Sequence, residues 1–209
     1  MEELDIKDKI LKGAEELFMR YGVRSISMDD IARHLSVSKK TLYQHFADKE
    51  DLVTEFSKNH LVSQRSVYEK LRDDSQNAID HLSRIAVCLK NEMEDANPAL
   101  LFDIQKFHPK AWSVWINFKK GIVKEIIDNL TKGIDEGTVR EDISPEILAI
   151  VRLELIQLAF NEEIFPRGKF KVAEVQTQIF DQFVFGVVTD KGRKLYLKYK
   201  NKSTPTINS

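Results

Sequence analysis

The apolar residues of the first sixty positions recur at helical spacing, and cap signals cut this repeat into short segments. The first stripe consists of Ile6, Ile10, Ala14, Leu17, Phe18 and Tyr21. Because residues three and four apart lie on one face of a helix, the stripe predicts a first helix over about 6–21. The chain has only 8 glycines and 5 prolines in 209 residues, which leaves few turn signals and favours an all-α fold.

Two short helices are predicted next, over about 28–35 and 39–46, with only the turn 36–38 between them. Ser27 stands at the cap position of the first, and Asp48 stands at the cap position of a longer fourth helix. Two short helices joined by a tight turn and supported by a longer helix form a helix-turn-helix. Its predicted core consists of Ile31, Ala32, Leu35, Val37, Leu42 and Phe46.

The second of these short helices carries an outward surface suited to DNA. Leu42 and Phe46 are four residues apart and are predicted to face inward, which leaves the other side chains outward. The residues expected to contact DNA are Ser27, Ser38, Lys39, Lys40, Thr41, Tyr43, Gln44, His45 and Lys49. Lysine neutralises phosphates, hydroxyls and imidazoles donate to phosphate oxygens, and lysine, threonine and glutamine can read base edges.

The positive charge of this region is local. A net charge of −1 excludes a uniformly basic protein, and residues 1–60 carry 10 Lys and Arg against 12 Asp and Glu. The window 33–49 instead carries four basic residues against Asp48, a net charge of +3. A solvated helix with ordinary lysines is the alternative interpretation. The turn, the flanking caps and the exposed Tyr43 favour DNA contact.

Residues 6–53 resemble the DNA-binding domain of the TetR family of bacterial transcriptional regulators. The matching positions are Ile31-Ala32, Val37-Ser38, Thr41-Leu42-Tyr43, His45-Phe46 and Lys49-Glu50 with Leu52. The resemblance implies repression, and it implies that Ser38, Thr41, Tyr43, His45 and Lys49 contact operator DNA, mostly at phosphates. Ser36 and Lys40 stand where the family often has glycine. The turn must therefore form without glycine's conformational freedom, and Lys40 gains a reach to phosphate or guanine.

Longer helices are predicted beyond residue 60. One apolar stripe consists of Ile79, Leu82, Ile85, Leu89 and Met93, and further helices are predicted over about 98–107, 109–136, 145–163 and 171–187. Asn97-Pro98 and Ser144-Pro145 are cap-plus-proline starts. The predicted organisation is a helix-turn-helix DNA-binding domain over 1–50, a helical effector-binding and dimerisation domain over 51–190, and a basic C-terminal tail over 191–209.

The helices near 145–163 and 171–187 are apolar nearly all round. Such helices must be covered on every side, so they predict a homodimer joined through a four-helix bundle. A two-fold dimer would place two reading helices on a palindromic double-stranded operator. The alternative is that both helices are central within one subunit.

Aromatic residues crowd the middle of the chain and predict a pocket for an unknown small-molecule effector. Its expected lining is Met93, Phe102, Phe107, His108, Trp112, Trp115, Gln157 and Asn161. Aromatic residues at helical spacing are more commonly core, and this alternative is strongest for Phe118. The expected mechanism is a shift between two conformations, of which the effector and DNA prefer different ones.

Other classes of protein find less support. The single Cys88 and the lack of an apolar leader predict a cytoplasmic protein, and the apolar segment 147–160 is interrupted by Arg152 and Glu154, which argues against a membrane span. No H-E-x-x-H, G-x-S-x-G, P-loop or paired-cysteine motif occurs, so no catalytic residue, metal or cofactor is predicted. A helix-turn-helix adaptor without DNA binding and a small helical enzyme remain the alternatives.

Overall fold

The chain is helical throughout the part that the structure, a computed structural model, describes, which is residues 3–94, 97, 99–166 and 168–203. These ranges contain ten helices: α1 Glu3–Tyr21, α2 Met28–His34, α3 Lys39–His45, α4 Lys49–Asp73, α5 Ala78–Glu94, α6 Ala99–Phe107, α7 Pro109–Asp135, α8 Pro145–Leu158, α9 Val172–Val187 and α10 Asp190–Ser203. They contain no strand, only an isolated bridge between Val139 and Val188. The predicted all-α fold is confirmed.

Packing divides the chain into two compact units. The first comprises Met1–Gln64 and Asp95–Phe118, and the second comprises Arg65–Glu94 and Lys119–Ser209. These boundaries follow compactness, whereas the predicted boundaries at residues 50 and 190 follow expected function. The functional division therefore stays a prediction.

The core of the first unit is built on the helix-turn-helix. Phe18, Ile31 and Leu42 are fully buried there, together with Leu52 and Val53 of α4. Leu35 and Val37 pack against this core from the turn, as predicted. The same cluster includes Ile104 of α6 and Ala111 of α7. Residues far along the sequence thus support the first three helices.

The core of the second unit joins α5, α7, α9 and α10. Ile79, Leu130 and Val184 are fully buried in it, and so is Tyr196 of α10. The segment predicted as a basic tail therefore begins as a helix with a residue in the core, and residues 204–209 lie outside the described ranges.

Several predicted helix ends are confirmed. Asp48 caps α4, since its Oδ1 accepts from the Asp51 amide at 2.8 Å, and Ser144 caps α8 ahead of Pro145. Pro98 lies outside the described residues. The prediction that a helix continues to 163 is wrong, because α8 ends at Leu158 and turn hydrogen bonds follow from Phe160 to Gln157 and from Asn161 to Leu158. Within the described ranges, no helix is both long enough and apolar enough to cross a membrane.

Candidate nucleic-acid interface

Reciprocal hydrogen bonds fix the start of α2. Ser27 Oγ accepts from the Asp30 amide at 3.1 Å, and the Ser27 amide donates to Asp30 Oδ2 at 3.0 Å. This capping box satisfies two amides that the helix itself leaves unpaired. The hydrogen bond from the Ser27 hydroxyl holds the pKa of the Asp30 carboxyl below its usual value. Ser27 remains on the surface, at the N-terminus of α2.

The turn between α2 and α3 places a serine in a conformation that favours glycine. Ser36 has a φ of 55°, in the left-handed region, and is alone in this among the non-glycine residues of the described ranges. The Ser36 amide donates to Arg33 O at 3.2 Å, and the Val37 amide donates to Ala32 O at 3.0 Å. These bonds hold the turn closed and fix how α3 leaves α2.

The N-terminus of α3 is capped by a side chain that was expected to bind DNA. Ser38 Oγ accepts from the Thr41 amide at 3.0 Å and lies 2.8 Å from Thr41 Oγ1. A cap at this position sets the first turn of the helix. Ser38 and Thr41 therefore belong to one network at the exposed start of α3.

The two faces of α3 differ as predicted. Leu42 is fully buried and Phe46, directly after the helix, is 1% exposed. The opposite face carries the exposed residues Ser38, Lys39, Lys40, Tyr43 and Gln44, with Thr41 and His45 half-buried at its edges. Tyr43 is 50% exposed. We call these seven residues the reading face. A rigid helix anchored from behind can present such a surface to the major groove.

The lysines expected to meet DNA differ in their contacts. Lys39 Nζ donates to Asp29 Oδ2 at 2.6 Å, which ties α3 to the first turn of α2. Lys40 makes no ion pair within the described residues and keeps its charge available. Lys49 Nζ donates to the Val23 carbonyl at 2.7 Å, and burial lowers the pKa of this ammonium. Lys49 thus bonds inside the first unit and lies off the reading face.

Contacts that the sequence did not predict hold the helix-turn-helix to α6 and α7. Asp103 is buried, and its Oδ2 accepts from the Arg24 amide at 2.8 Å. Glu50, in the first turn of α4, accepts from His108 Nδ1 at 2.6 Å and from the Lys110 amide at 2.9 Å. Glu50 lies in the motif that carries the family resemblance. Its partners are some sixty residues away, and no local pattern marks them.

The eight predicted pocket residues are divided between the two units. Phe102, Phe107, His108, Trp112 and Trp115 lie in the first unit, and Met93, Gln157 and Asn161 lie in the second. Neither unit contains the predicted lining by itself, so the pocket stays a prediction.

Within the first unit these residues have unlike surroundings. Phe102 is 56% exposed, whereas His108 is buried against Glu50 and Trp112 packs on the helix-turn-helix core. Trp115 stacks on Phe118 with ring centroids 5.6 Å apart, and its buried Nε1 has no hydrogen-bond partner within the described residues.

In the second unit the predicted polar contacts are on the surface or already bonded. Gln157 Oε1 accepts from Lys119 Nζ at 2.6 Å. Asn161 is exposed in the turn after α8, where its Oδ1 accepts from the Glu163 amide at 2.9 Å. Met93 is half-buried near the end of α5.

Helix α8 leaves one apolar face open to solvent. Ile147, Ile150 and Val151 are 63%, 56% and 44% exposed. Ile147 and Val151 also line a cleft of about 330 Å³ between α8 and α9, together with Leu148 and Phe183. The second unit does not by itself cover the helices that were predicted to be covered on all sides. The described residues also contain no group of His, Cys, Asp and Glu that could hold a metal ion.

Comparison with known proteins agrees with this geometry. Residues 10–56 match the family described as bacterial regulatory proteins, tetR family. The uncharacterized HTH-type transcriptional regulator YvaF of Bacillus subtilis is 25% identical over 171 residues, which covers 80% of this chain and 88% of that protein. The HTH-type transcriptional repressor KstR2 of Mycobacterium tuberculosis is 23% identical over 146 residues, covering 68% and 73%.

Solved structures show the same fold. A TetR-family transcriptional regulator from Agrobacterium tumefaciens superposes with a TM-score of 0.76 at 17% identity, over 89% of this chain and 99% of that one. The reduced form of NemR from E. coli superposes with a TM-score of 0.74 at 16% identity, over 88% and 97%. The N-terminal helix-turn-helix followed by a helical C-terminal domain is therefore an established arrangement.

Proposed function

Because the chain is a helix-turn-helix transcriptional regulator of the TetR family, we propose that it represses transcription by binding a palindromic operator as a homodimer. A small, mainly apolar effector releases it from that operator. The relative KstR2 is named a repressor, which supports this direction of regulation.

The observation that carries the proposal is the reading face of α3. Its polar residues are exposed while Leu42 and Phe46 anchor the helix from behind. Lys40 and Tyr43 contact phosphates or base edges directly in this proposal. Lys39 either exchanges Asp29 for phosphate or holds α3 in place, and Lys49 serves the fold rather than the DNA.

The proposed dimer forms through α8 and α9. The exposed face of Ile147, Ile150 and Val151 matches what a second copy of the same chain would bury. A two-fold axis between two copies makes the contact self-complementary. The dimer would set the two α3 helices for half-sites separated by roughly 34–36 Å or a multiple of that spacing.

Effector binding acts by population shift in this proposal. The effector prefers a conformation in which the two reading faces are wrongly spaced, and DNA prefers the other, so each weakens the binding of the other.

Because its target is DNA, the protein acts in the cytoplasm. Burial, together with the Glu92 carboxylate, raises the pKa of the Cys88 thiol to about 12, so this thiol is protonated and unreactive.

A gel-shift experiment on the DNA upstream of the protein's own coding sequence tests the proposal. We expect a discrete complex on this fragment at concentrations where a shuffled fragment of equal length stays free. Apolar small molecules that act as effectors should dissociate the protein from this fragment. Equal binding to both fragments, or to neither, would contradict the proposed function.

A further inference from the structure

Helix α8 carries a buried positive charge that makes no ion pair within the described residues. Arg152 is 2% exposed, and neither its Nη1 nor its Nη2 has a hydrogen-bond partner within the described residues. Burial lowers the pKa of this guanidinium to about 10, although the electrostatic effect of Tyr68 and Tyr196 raises the pKa. An arginine stays charged at neutral pH even so, and a buried charge without a partner is strongly unfavourable.

Two aromatic rings lie against the guanidinium without satisfying its N–H groups. Arg152 Cζ lies 4.9 Å from the centroid of Phe180 and 6.0 Å from that of Phe183. A ring face attracts the cation, but the guanidinium's donors point outward in its own plane and need acceptor atoms. The rings therefore form an apolar site around donors that are still available.

Two carboxylates of the same unit are bonded to other groups. Asp181 accepts from the Tyr196 hydroxyl at 3.0 Å and also pairs with Lys200. Glu92 accepts from the Tyr68 hydroxyl at 2.8 Å. Tyr68 and Tyr196, which interact electrostatically with Arg152, thus donate to these carboxylates. Neither of these carboxylates pairs with Arg152 within the described residues.

A second unmet polar atom lies on the same seam between α8 and α9. Gln176 is 1% exposed, and its Nε2 donates to the Ile156 carbonyl at 2.7 Å while its Oε1 has no donor within the described residues. Gln176 precedes Phe180 by four residues on α9, and Arg152 precedes Ile156 by four on α8. Four residues of helix span about 6 Å, so the Gln176–Ile156 and Arg152–Phe180 contacts lie roughly one turn apart along the two helices.

We propose that Arg152 binds the carboxylate of the effector, whose apolar part lies against Phe180 and Phe183 between α8 and α9. The planar guanidinium matches a carboxylate with two parallel hydrogen bonds. Gln176 Oε1 accepts a hydrogen bond from a hydroxyl or amide N–H further along the same effector. This inference rests on the proposed function and deepens it by naming the effector's chemical class, a small apolar carboxylate.

The enclosed position of Arg152 links binding to conformation. Its terminal nitrogens are closed off from solvent, so a carboxylate reaches them only when α8 and α9 separate. The opposite face of α8 is the exposed stripe proposed as the dimer contact. A ligand that binds only the separated arrangement shifts the population toward it.

Calorimetric titration with two carboxylates and their alcohols tests the inference. The probes are octanoate, compared with octanol, and phenylacetate, compared with phenylethanol. The proteins are the wild type, Arg152→Met, Arg152→Lys and the control Arg65→Met, which removes an exposed arginine paired with Glu69. We expect the wild type and the control to bind carboxylates about tenfold to a hundredfold more tightly than alcohols. Arg152→Met should lose this preference, and Arg152→Lys should keep part of it.

Ligand-free stability gives an independent readout. Because Arg152 is an uncompensated charge, Arg152→Met should keep or raise the Tm. If neither carboxylate binds the wild type more tightly than its alcohol, the inference is wrong, and this comparison needs no variant. Equal carboxylate binding to Arg152→Met would also overturn it. Gel shifts without any probe are run alongside: DNA binding without carboxylate binding refutes the inference alone, and the absence of DNA binding refutes the proposed function.

Discussion

His108 Nδ1 lies 2.6 Å from Glu50 Oε2, so the start of α7 is bonded to the first turn of the helix that follows the reading helix. The other oxygen of the same carboxylate accepts from the Lys110 amide at 2.9 Å. One side chain thus joins segments about sixty residues apart within the first unit. A disturbance of the α6–α7 junction would reach α4 through this carboxylate.

Replacement of Glu50 tests how much this junction stabilises the first unit. Glu50→Ala leaves a buried imidazole and an amide without their acceptor, so we expect the free energy of unfolding to fall by about 1–3 kcal/mol. Glu50→Gln keeps an acceptor oxygen and should cost less. Urea denaturation measures both. Glu55→Ala removes a partly exposed pair with Lys58 on the same helix and should cost under about 1 kcal/mol. Equal losses for Glu50→Ala and Glu55→Ala would show that the junction is not a stabilising contact.

Ser36→Gly should stabilise the protein. Ser36 has a φ of 55°, where an L-residue is disfavoured by about 1–2 kcal/mol and glycine is not. Glycine's greater freedom in the unfolded chain offsets part of this gain, so we expect an increase of about 0.5–1 kcal/mol, or a few degrees in Tm. Ser36→Ala is the matched control, since it removes the hydroxyl and keeps Cβ. A gain from alanine equal to that from glycine would rule out backbone conformation as the cause.

Protonation of His81 should destabilise the protein in mild acid. Burial, reinforced by the positive charges of Arg72 and Lys132, lowers the pKa of His81 to about 4, and its Nδ1 lies 2.9 Å from the Asn129 amide nitrogen that donates to it. The unfolded chain takes up this proton near pH 6.5, whereas the folded protein does so only near pH 4. The contribution of His81 to stability is therefore complete above about pH 6.5 and is lost as the pH falls toward 4.

Unfolding free energies measured between pH 7.5 and 4.5 check this pH dependence. The loss for the wild type should exceed that for His81→Gln by about 2–4 kcal/mol over the window. His34→Gln, which alters a surface histidine paired with Glu16, serves as the control and should follow the wild type. Parallel curves for the wild type and His81→Gln would place the acid sensitivity elsewhere.

A charge on the open face of α8 should prevent dimerisation. Ile150→Glu places a carboxylate where the proposed partner would exclude water, so sedimentation should give the 24.2 kDa mass of one chain in place of twice that mass. Ile116→Glu alters an isoleucine of α7 that is also exposed and should leave the dimer intact. A wild type that stays at one chain's mass at every concentration would refute the proposed dimer, as would an Ile150→Glu protein that still pairs.

The helix-turn-helix was predictable because its signals are local. Ser27 and Asp30 lie three residues apart, as a capping box requires, and Leu42 and Phe46 lie four apart, as a buried helical stripe requires. Even the strained turn had a local sign, because Ser36 occupies a position that often holds glycine in the family it resembles. Neighbouring residues decide such features, and their arrangement follows from the sequence alone.

Features set by distant partners were not predictable. Lys49 Nζ donates to a carbonyl 26 residues earlier, and no local pattern in the sequence indicates this contact. Arg152 interrupts an apolar segment, and the sequence does not indicate that its guanidinium is buried between aromatic rings. Tyr196 lies in the polar C-terminal segment, and the sequence does not indicate that it belongs to the core of the second unit. In each case packing between helices remote in sequence decides which way a side chain points.

The salt dependence of DNA binding tests the reading face most directly. Fluorescence anisotropy would give Kd for the upstream fragment over a range of salt concentrations, for the wild type, Lys40→Ala with Tyr43→Ala, and the control Lys90→Ala, which removes an exposed lysine of α5. Each phosphate contact contributes about 0.9 to the slope of log K against log salt, so the loss of Lys40 from both protomers should reduce the slope by about 2 and weaken binding. Lys90→Ala should match the wild type. A Kd that changes neither with salt concentration nor with the paired substitution would contradict DNA binding through the reading face.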